Sequence, residues 1–211
     1  MVCEQWLTYH RYVKSGEGNH VAGVREEQRA RTRRALVDRA RELFAARGYA
    51  DVGLAELVGA AGVTKGALYH QFEGKAELFE VVLGEVAAEV ADAVVLAAEA
   101  HEDPWDRFLA GCRAFLVAST DPSVARIALV DGPAVLGWTR WRALDEATSG
   151  RHLVEALEAL AARGVIAPRP VAPLAHLLNG AMNEAALWLA DEPDQLDAVW
   201  AELAGMLDGM R

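Results

Sequence analysis

Apolar side chains in this chain recur at three- and four-residue intervals and nowhere alternate in a sustained run. Phe79, Val82, Val86 and Val90 form one stripe, and Trp105, Phe108, Leu109, Cys112, Phe115 and Leu116 form another. That spacing follows the turn of an α-helix, whereas a half-buried strand needs period two. Ala, Leu, Glu and Arg dominate, and β-branched residues are mostly lone valines. The sequence therefore predicts an all-α protein. Its 211 residues are enough for one or two domains with a real core.

Turn and cap residues divide the pattern into about nine helices. The first is predicted from about Arg29 to Gly48, with Leu36, Ala40, Leu43 and Phe44 on one face. Two short helices follow, over 54–60 and from Thr64 to about His70, separated by Ala61-Gly62. A long helix opens after Gly74, with Lys75 in its first turn, and runs into the high nineties. Asp103-Pro104 and Asp121-Pro122 announce further starts, because Asp caps a helix and Pro suits its first position. Pro133 opens a segment that Gly150 interrupts before Gly164. The last two helices are predicted over 171–190 and 193–210. Residues 1–24 show no period and are expected to be a poorly ordered extension.

The formal charge of −10 argues at first against a nucleic-acid partner, since DNA affinity is built on Lys and Arg neutralising phosphates. The charge is unevenly distributed. Residues 25–80 hold ten basic and nine acidic side chains, including Arg29, Arg31, Arg33 and Arg34, whereas 81–211 carry a net −11. The acidity belongs to the C-terminal part, and different jobs for the two parts are expected.

One longer helix followed by two short ones joined at Gly62 is the arrangement a helix-turn-helix needs. The stretch "GYADVGLAELVGAAGVTKGALYHQFEGKAELF" closely resembles the DNA-binding signature of the TetR family of bacterial transcription regulators. The resemblance implies an N-terminal DNA-binding domain over 25–75 and a C-terminal helical ligand-binding and dimerisation domain over 76–211. Thr64 is placed to cap the recognition helix and to meet a phosphate. Lys65 sits in its first turn, and the small Gly66 and Ala67 permit close approach to the groove. By resemblance, Tyr69 and His70 contact phosphates, and Lys75 acts as a backbone clamp where the helix dipole already favours an anion. Val52 and Gly53 depart from the family pattern, which usually has a hydroxyl pair there, so one side-chain cap and one phosphate contact are expected to be missing.

The C-terminal part is harder to read. Trp105, Phe108, Cys112, Phe115, Trp138 and Trp141 form an aromatic-rich set suited to a ligand cavity. His176, Asn179 and Asn183 add polar groups on one face of a later helix. Core packing explains the same residues equally well. Trp188, Leu189, Trp200, Met206 and Met210 exceed what one core face needs and are candidates for a dimer seam. The stretch "DGPAVLGWTRWR" also resembles part of some family members, and an ion pair between Asp131 and Arg142 is expected there.

Together these features predict a cytoplasmic, ligand-responsive repressor that binds a double-stranded DNA operator as a homodimer and is released by an unknown small-molecule inducer. A constitutive repressor or an activator without an inducer remains open on sequence. No enzyme is expected: His101-Glu102 lacks the second His of a zinc helix, since Trp105 stands there, and Gly16, Gly18 and Gly23 have the wrong spacing for a dinucleotide loop. No cofactor or metal motif is present. No uncharged apolar run of 18 residues suggests a membrane span, and two cysteines do not make a disulfide scaffold. Dimerisation doubles the −10, so the acidic part should disfavour binding in any orientation but one. Neutralising several C-terminal carboxylates is expected to raise affinity for random-sequence DNA, measured by fluorescence anisotropy; unchanged affinity would reduce the acidity to a solvated surface.

Overall fold

The computed structural model describes residues 20–211, with side chains from Arg25 onward. Every regular element in that range is helical. Most of the extension expected over 1–24 lies outside the described residues. The first helix, α1, spans His20–Arg47 and so starts earlier than the predicted Arg29. Residues 25–31 are all exposed, and a helical turn that buries no stripe leaves no periodic signal.

The following elements are α2 (Leu54–Ala60), α3 (Lys65–Tyr69) and the long α4 (Lys75–Glu99). Then come α5 (Pro104–Ser119), α6 (Pro122–Ala125), a π-helical turn (Arg126–Asp131), α7 (Gly132–Leu136), α8 (Trp138–Ala147) and α9 (Ser149–Ala162). The chain ends with α10 (Val171–Asp191), a 3-10 turn (Pro193–Gln195) and α11 (Leu196–Asp208). Residues 122–162 are thus cut more finely than the sequence pattern suggests. At the α8–α9 junction the Thr148 hydroxyl donates to the carbonyls of Leu144 and Asp145, closing one helix where the next begins.

Both Asp-Pro starts are true caps. The Asp103 carboxylate accepts from the N–H groups of Trp105 and Asp106 at 2.8 and 3.0 Å. Asp121 accepts from the Ser123 N–H and hydroxyl at 2.8 and 2.6 Å, and these bonds hold its carboxyl below the usual range.

Two cores share the long helix. The N-terminal core gathers Leu36, Phe44, Val52, Leu57, Leu68 and Phe72 with Phe79, Val82 and Val86 of α4. From Val90 onward α4 belongs to a second core built with α5, α9, α10 and α11. Its main neighbour along its length is α5. The N-terminal core is completed from far along the chain: Ile127 and Trp141 are buried in it, at 1 % and 5 % exposure. Trp141 donates its indole N–H to Ala128 O at 2.7 Å, which ties α8 to the π-helical turn.

Gly132 makes that tie possible. A Cβ there would stand 2.8 Å from Trp141 Cδ1 and 3.3 Å from Ile127 O, so any side chain forces the indole or the turn to move. Overpacking a filled core costs about 1–3 kcal/mol. Gly132→Ala is expected to lower unfolding stability by about that amount in a denaturant titration, whereas Gly180→Ala, where nothing lies within 4 Å of the new carbon, is expected to cost nothing.

Candidate nucleic-acid interface and cavity

The short helix α3 owes its orientation to one apolar anchor and one cap. Leu68 is fully buried, and Phe72 just beyond the helix is 2 % exposed. Thr64 is the N-cap, and its hydroxyl oxygen accepts from Ala67 N–H at 3.1 Å. Gly62, at φ +65°, supplies the left-handed turn between α2 and α3 that a Cβ would strain. With one face pinned, Thr64, Lys65, Gly66, Tyr69 and His70 all face solvent, and Ala67 is half-buried. Tyr69 is 50 % exposed, and the Lys65 ammonium lies 5.9 Å from its ring centroid. The open face of α3 is a small-residue surface flanked by a cation, hydroxyls and a histidine, suited to a groove with phosphate walls.

The arginines of α1 hold this unit together. Arg33 donates to Gln71 O at 3.0 Å and lies 4.3 Å over the Phe72 ring, while Gln71 donates back to Arg29 O at 3.2 Å. Arg34 pairs with Asp38 and Glu85, Arg41 with Glu89, and Arg47 with Glu56. These pairs are exposed, and each is worth about 0–1 kcal/mol. Val52, at the position where a hydroxyl was missing from the pattern, is buried in the N-terminal core. Gly53 caps α2 in an extended conformation without a side-chain bond. Glycine is a tolerable cap, so the expected loss shrinks to a few tenths of a kcal/mol.

Lys75 begins α4 with its ammonium 3.9 Å from the centroid of the Tyr49 ring. Burial lowers its pKa, opposed by the nearby carboxylates of Asp131 and Asp51. Tyr49 packs on Phe79 and Phe44 at 5.1 and 5.7 Å, and burial raises the pKa of its phenol.

A cavity of about 630 Å³ lies between α4, α5, α9 and α10. Its walls are mostly apolar, with Val94, Phe108, Cys112, Phe115, Leu153 and Met182 among them. Of the residues expected to line such a cavity, Phe108, Cys112, Phe115 and Asn179 do so. Trp105 instead packs at the chain's C-terminal end, donating to Asp208 Oδ1 at 3.2 Å beneath the Arg211 guanidinium. Trp141 belongs to the N-terminal core, and Trp138 packs on it while 64 % exposed. His176 lies away from the cavity, within 2.9 Å of Arg142. Asn183 is buried one turn from Asn179 and donates to its Oδ1 at 3.3 Å. The sequence did not single out Val94, Leu153 or Ala156, since apolar and small residues on α4 and α9 look the same whether they line a core or a cavity, nor His152, which reads as a surface residue paired with Glu155.

The amide in the cavity wall, Asn179, is held by a half-buried carboxylate. Asn179 donates to Asp145 Oδ2 at 2.6 Å, and burial pushes the Asp145 pKa up against the opposing effects of Asn179 and Arg142. Arg142 reaches Glu146 at 3.3 Å, so the expected Asp131–Arg142 pair is not formed. Asp131 bonds the Tyr49 N–H instead. Cys112 is a wall residue whose pKa burial pushes up to about 12, so its thiol stays protonated at neutral pH. Among the described residues no cluster of three or more His, Cys, Asp or Glu could hold a metal ion, and no helix is long and apolar enough to cross a membrane.

The candidate seam residues separate into two groups. Trp188 and Met206 are exposed at 53 % and 64 %. Leu189 and Met210 are buried in the second core, and Trp200 packs against it while keeping part of its surface exposed. Leu177, 71 % exposed and in register with Trp188 along α10, joins the exposed set, although nothing in the residue pattern separates it from its buried neighbour Leu178.

An exposed, capped short helix braced by a longer one, joined to a helical part with its own cavity, is the arrangement of helix-turn-helix regulators. Two family models match the chain: bacterial regulatory proteins of the tetR family over residues 36–82, and the tetracyclin repressor-like C-terminal domain over residues 105–210. The chain belongs to the TetR family and is a DNA-binding transcriptional regulator. It is similar to a TetR-family transcriptional regulator from Pectobacterium atrosepticum, at 34 % identity and a TM-score of 0.71, covering 87 % of this chain and 96 % of that one. Among curated relatives it is 44 % identical over 52 residues to the HTH-type transcriptional regulator SrpR of Pseudomonas putida, which is 25 % of this chain and 24 % of that protein. It is 35 % identical over 78 residues to the HTH-type transcriptional regulator TtgR, also of Pseudomonas putida, 37 % of each chain. The matches thus span well under half of these curated relatives.

Thr64→Ala removes the cap, and α3 is expected to lose about 1 kcal/mol, read as a lower melting temperature, whereas Thr64→Ser keeps it. Lys65→Ala, exposed at the same turn, is expected to leave melting unchanged.

Proposed function

We propose that this protein is a ligand-responsive repressor that binds a pseudo-palindromic operator as a homodimer. Residues 25–75 read the DNA, and residues 76–211 carry the ligand cavity and the dimer seam. The single observation that carries the DNA-reading role is the solvent face of α3, with Lys65, Gly66, Tyr69 and His70 presented while Leu68 anchors the other side. A five-residue helix contacts only a few base pairs, so a second copy about one DNA turn away, roughly 34–36 Å, is needed for a specific site. The stripe of Leu177 and Trp188 on α10, with Met206 on α11, supports pairing of those helices between protomers.

The cavity favours ligand control over a constitutive mode of binding. An apolar chamber with an oriented amide is what a small molecule needs, and two of its walls belong to α4 and α5. Because Lys75 begins the same helix that Val94 and Ala98 continue into the cavity, a ligand that displaces α4 changes how far apart the two recognition helices stand. Reciprocity then requires DNA to weaken the ligand by the same factor.

The test is footprinting of the purified chain on DNA upstream of its own gene, followed by anisotropy across a salt series. A protected site with two half-sites and affinity that falls steeply with salt is expected. Binding that is absent or indifferent to salt overturns the DNA-reading role. Trp188→Glu combined with Met206→Glu is expected to give monomers in ultracentrifugation and to abolish the footprint; a persistent dimer moves the seam elsewhere.

A further inference from the structure

The stretch from Arg126 to Trp141 reaches out of the C-terminal part and grips the helix-turn-helix unit. Asp131 Oδ2 accepts from the Tyr49 main-chain N–H at 2.8 Å, across 82 positions of sequence. The Arg126 guanidinium and the Asp131 carboxylate lie directly against Gly48, 3.1 and 3.5 Å from where its Cβ would be. Arg140 pairs with Glu80 at 2.7 Å on the second turn of α4. Trp141 buries its ring in the N-terminal core and locks the base of this segment through Ala128 O. Two of these contacts meet at Gly48 and Tyr49, and the ring of Tyr49 carries the Lys75 ammonium.

We propose that Asp131 is a positioning residue for DNA binding: it fixes Tyr49, and the Tyr49 ring in turn holds the Lys75 ammonium at the start of α4, ready for a backbone phosphate. A free lysine loses most of its rotamer entropy when it meets a phosphate. One already held over an aromatic face has lost part of that freedom beforehand, and the first turn of a helix adds its own attraction for an anion. The clamp is thus assembled by both parts of the chain, and the C-terminal part grips it directly as well as through α4. This inference rests on Lys75 being a phosphate contact, and the experiment separates the two.

Affinity for the footprinted duplex is measured across a salt series for the parent chain, Lys75→Ala, Asp131→Ala, Asp131→Asn and the double variant Asp131→Ala with Lys75→Ala, with melting curves for each. Lys75→Ala is expected to reduce the salt slope by about 0.9 per protomer, one phosphate contact each. Asp131→Ala is expected to weaken binding by about two- to fivefold per protomer, the range of an exposed cation–π contact, and to flatten the slope. Asp131→Asn keeps an oxygen able to accept from Tyr49 N–H and should retain most of the affinity. In the Lys75→Ala background, Asp131→Ala should cost nothing further, a non-additivity that a merely structural role does not produce. Equal losses in both backgrounds, or parental affinity and slope in Asp131→Ala, overturn the proposal. An unchanged slope in Lys75→Ala removes the phosphate contact itself, and the proposal with it. If Asp131→Ala fails to fold, Tyr49→Leu, which keeps the main-chain N–H and removes the ring, takes its place with the same expected non-additivity.

Discussion

The structure depends on α4 being buried in two cores at once. Its first turns give Leu78, Phe79, Val82 and Val86 to the core that supports the recognition helix, and from Val90 onward it belongs to the core beside the cavity. Its first half is close-packed and its second half lines the cavity beside α5, so a displacement at the cavity is carried along one unbroken helix into the N-terminal core. The distance between the cavity and the core beneath α3 is therefore bridged by one continuous element. Trp141 and Ile127 reinforce it, since they fill the N-terminal core from a segment well beyond α4 in sequence.

A second line of contact runs beside that helix. Asn179 in the cavity wall bonds Asp145 in α8, and Trp141 in the same helix bonds Ala128. The π-helical turn holding Ala128 also holds Asp131, which bonds Tyr49. Each step is a single directional bond between partly buried groups, and breaking one leaves a polar atom without its partner. Arg142, paired with Glu146 on α8, keeps the charge of Asp145 from standing alone. The orphan among these groups is Asn183 Oδ1, buried without a hydrogen-bond partner, so the polar cluster beside the cavity is short of donors rather than acceptors.

Much of the fold was legible because its signals are local. Asp103-Pro104 and Asp121-Pro122 cap their helices through their own neighbours, Gly62 turns the chain with its own φ, and Thr64 bonds a residue three positions on. The start of α1 was less legible because its exposed turns have no stripe to read. The cavity was the least legible part. Five of the six aromatic and sulfur residues of the expected set are buried, yet only Phe108, Cys112 and Phe115 reach the cavity, while Trp105 and Trp141 enter other surroundings and Trp138 stays exposed. Periodicity states that a side chain faces inward and leaves open which interior it enters.

By itself, then, the sequence determined the helical class, the order of the helices and the cap and exposed face of the short helix α3, because caps, turns and apolar stripes act within a few residues of one another. Tertiary structure alone decided that Asp131 bonds Tyr49 rather than Arg142, that Leu189 and Met210 are buried while Trp188 and Leu177 remain exposed, and that the cavity opens beside Asn179. Those outcomes are fixed by the packing of α4 against α1, α5, α9 and the π-helical turn. Pairings between residues tens of positions apart depend on that packing, and no local rule encodes it.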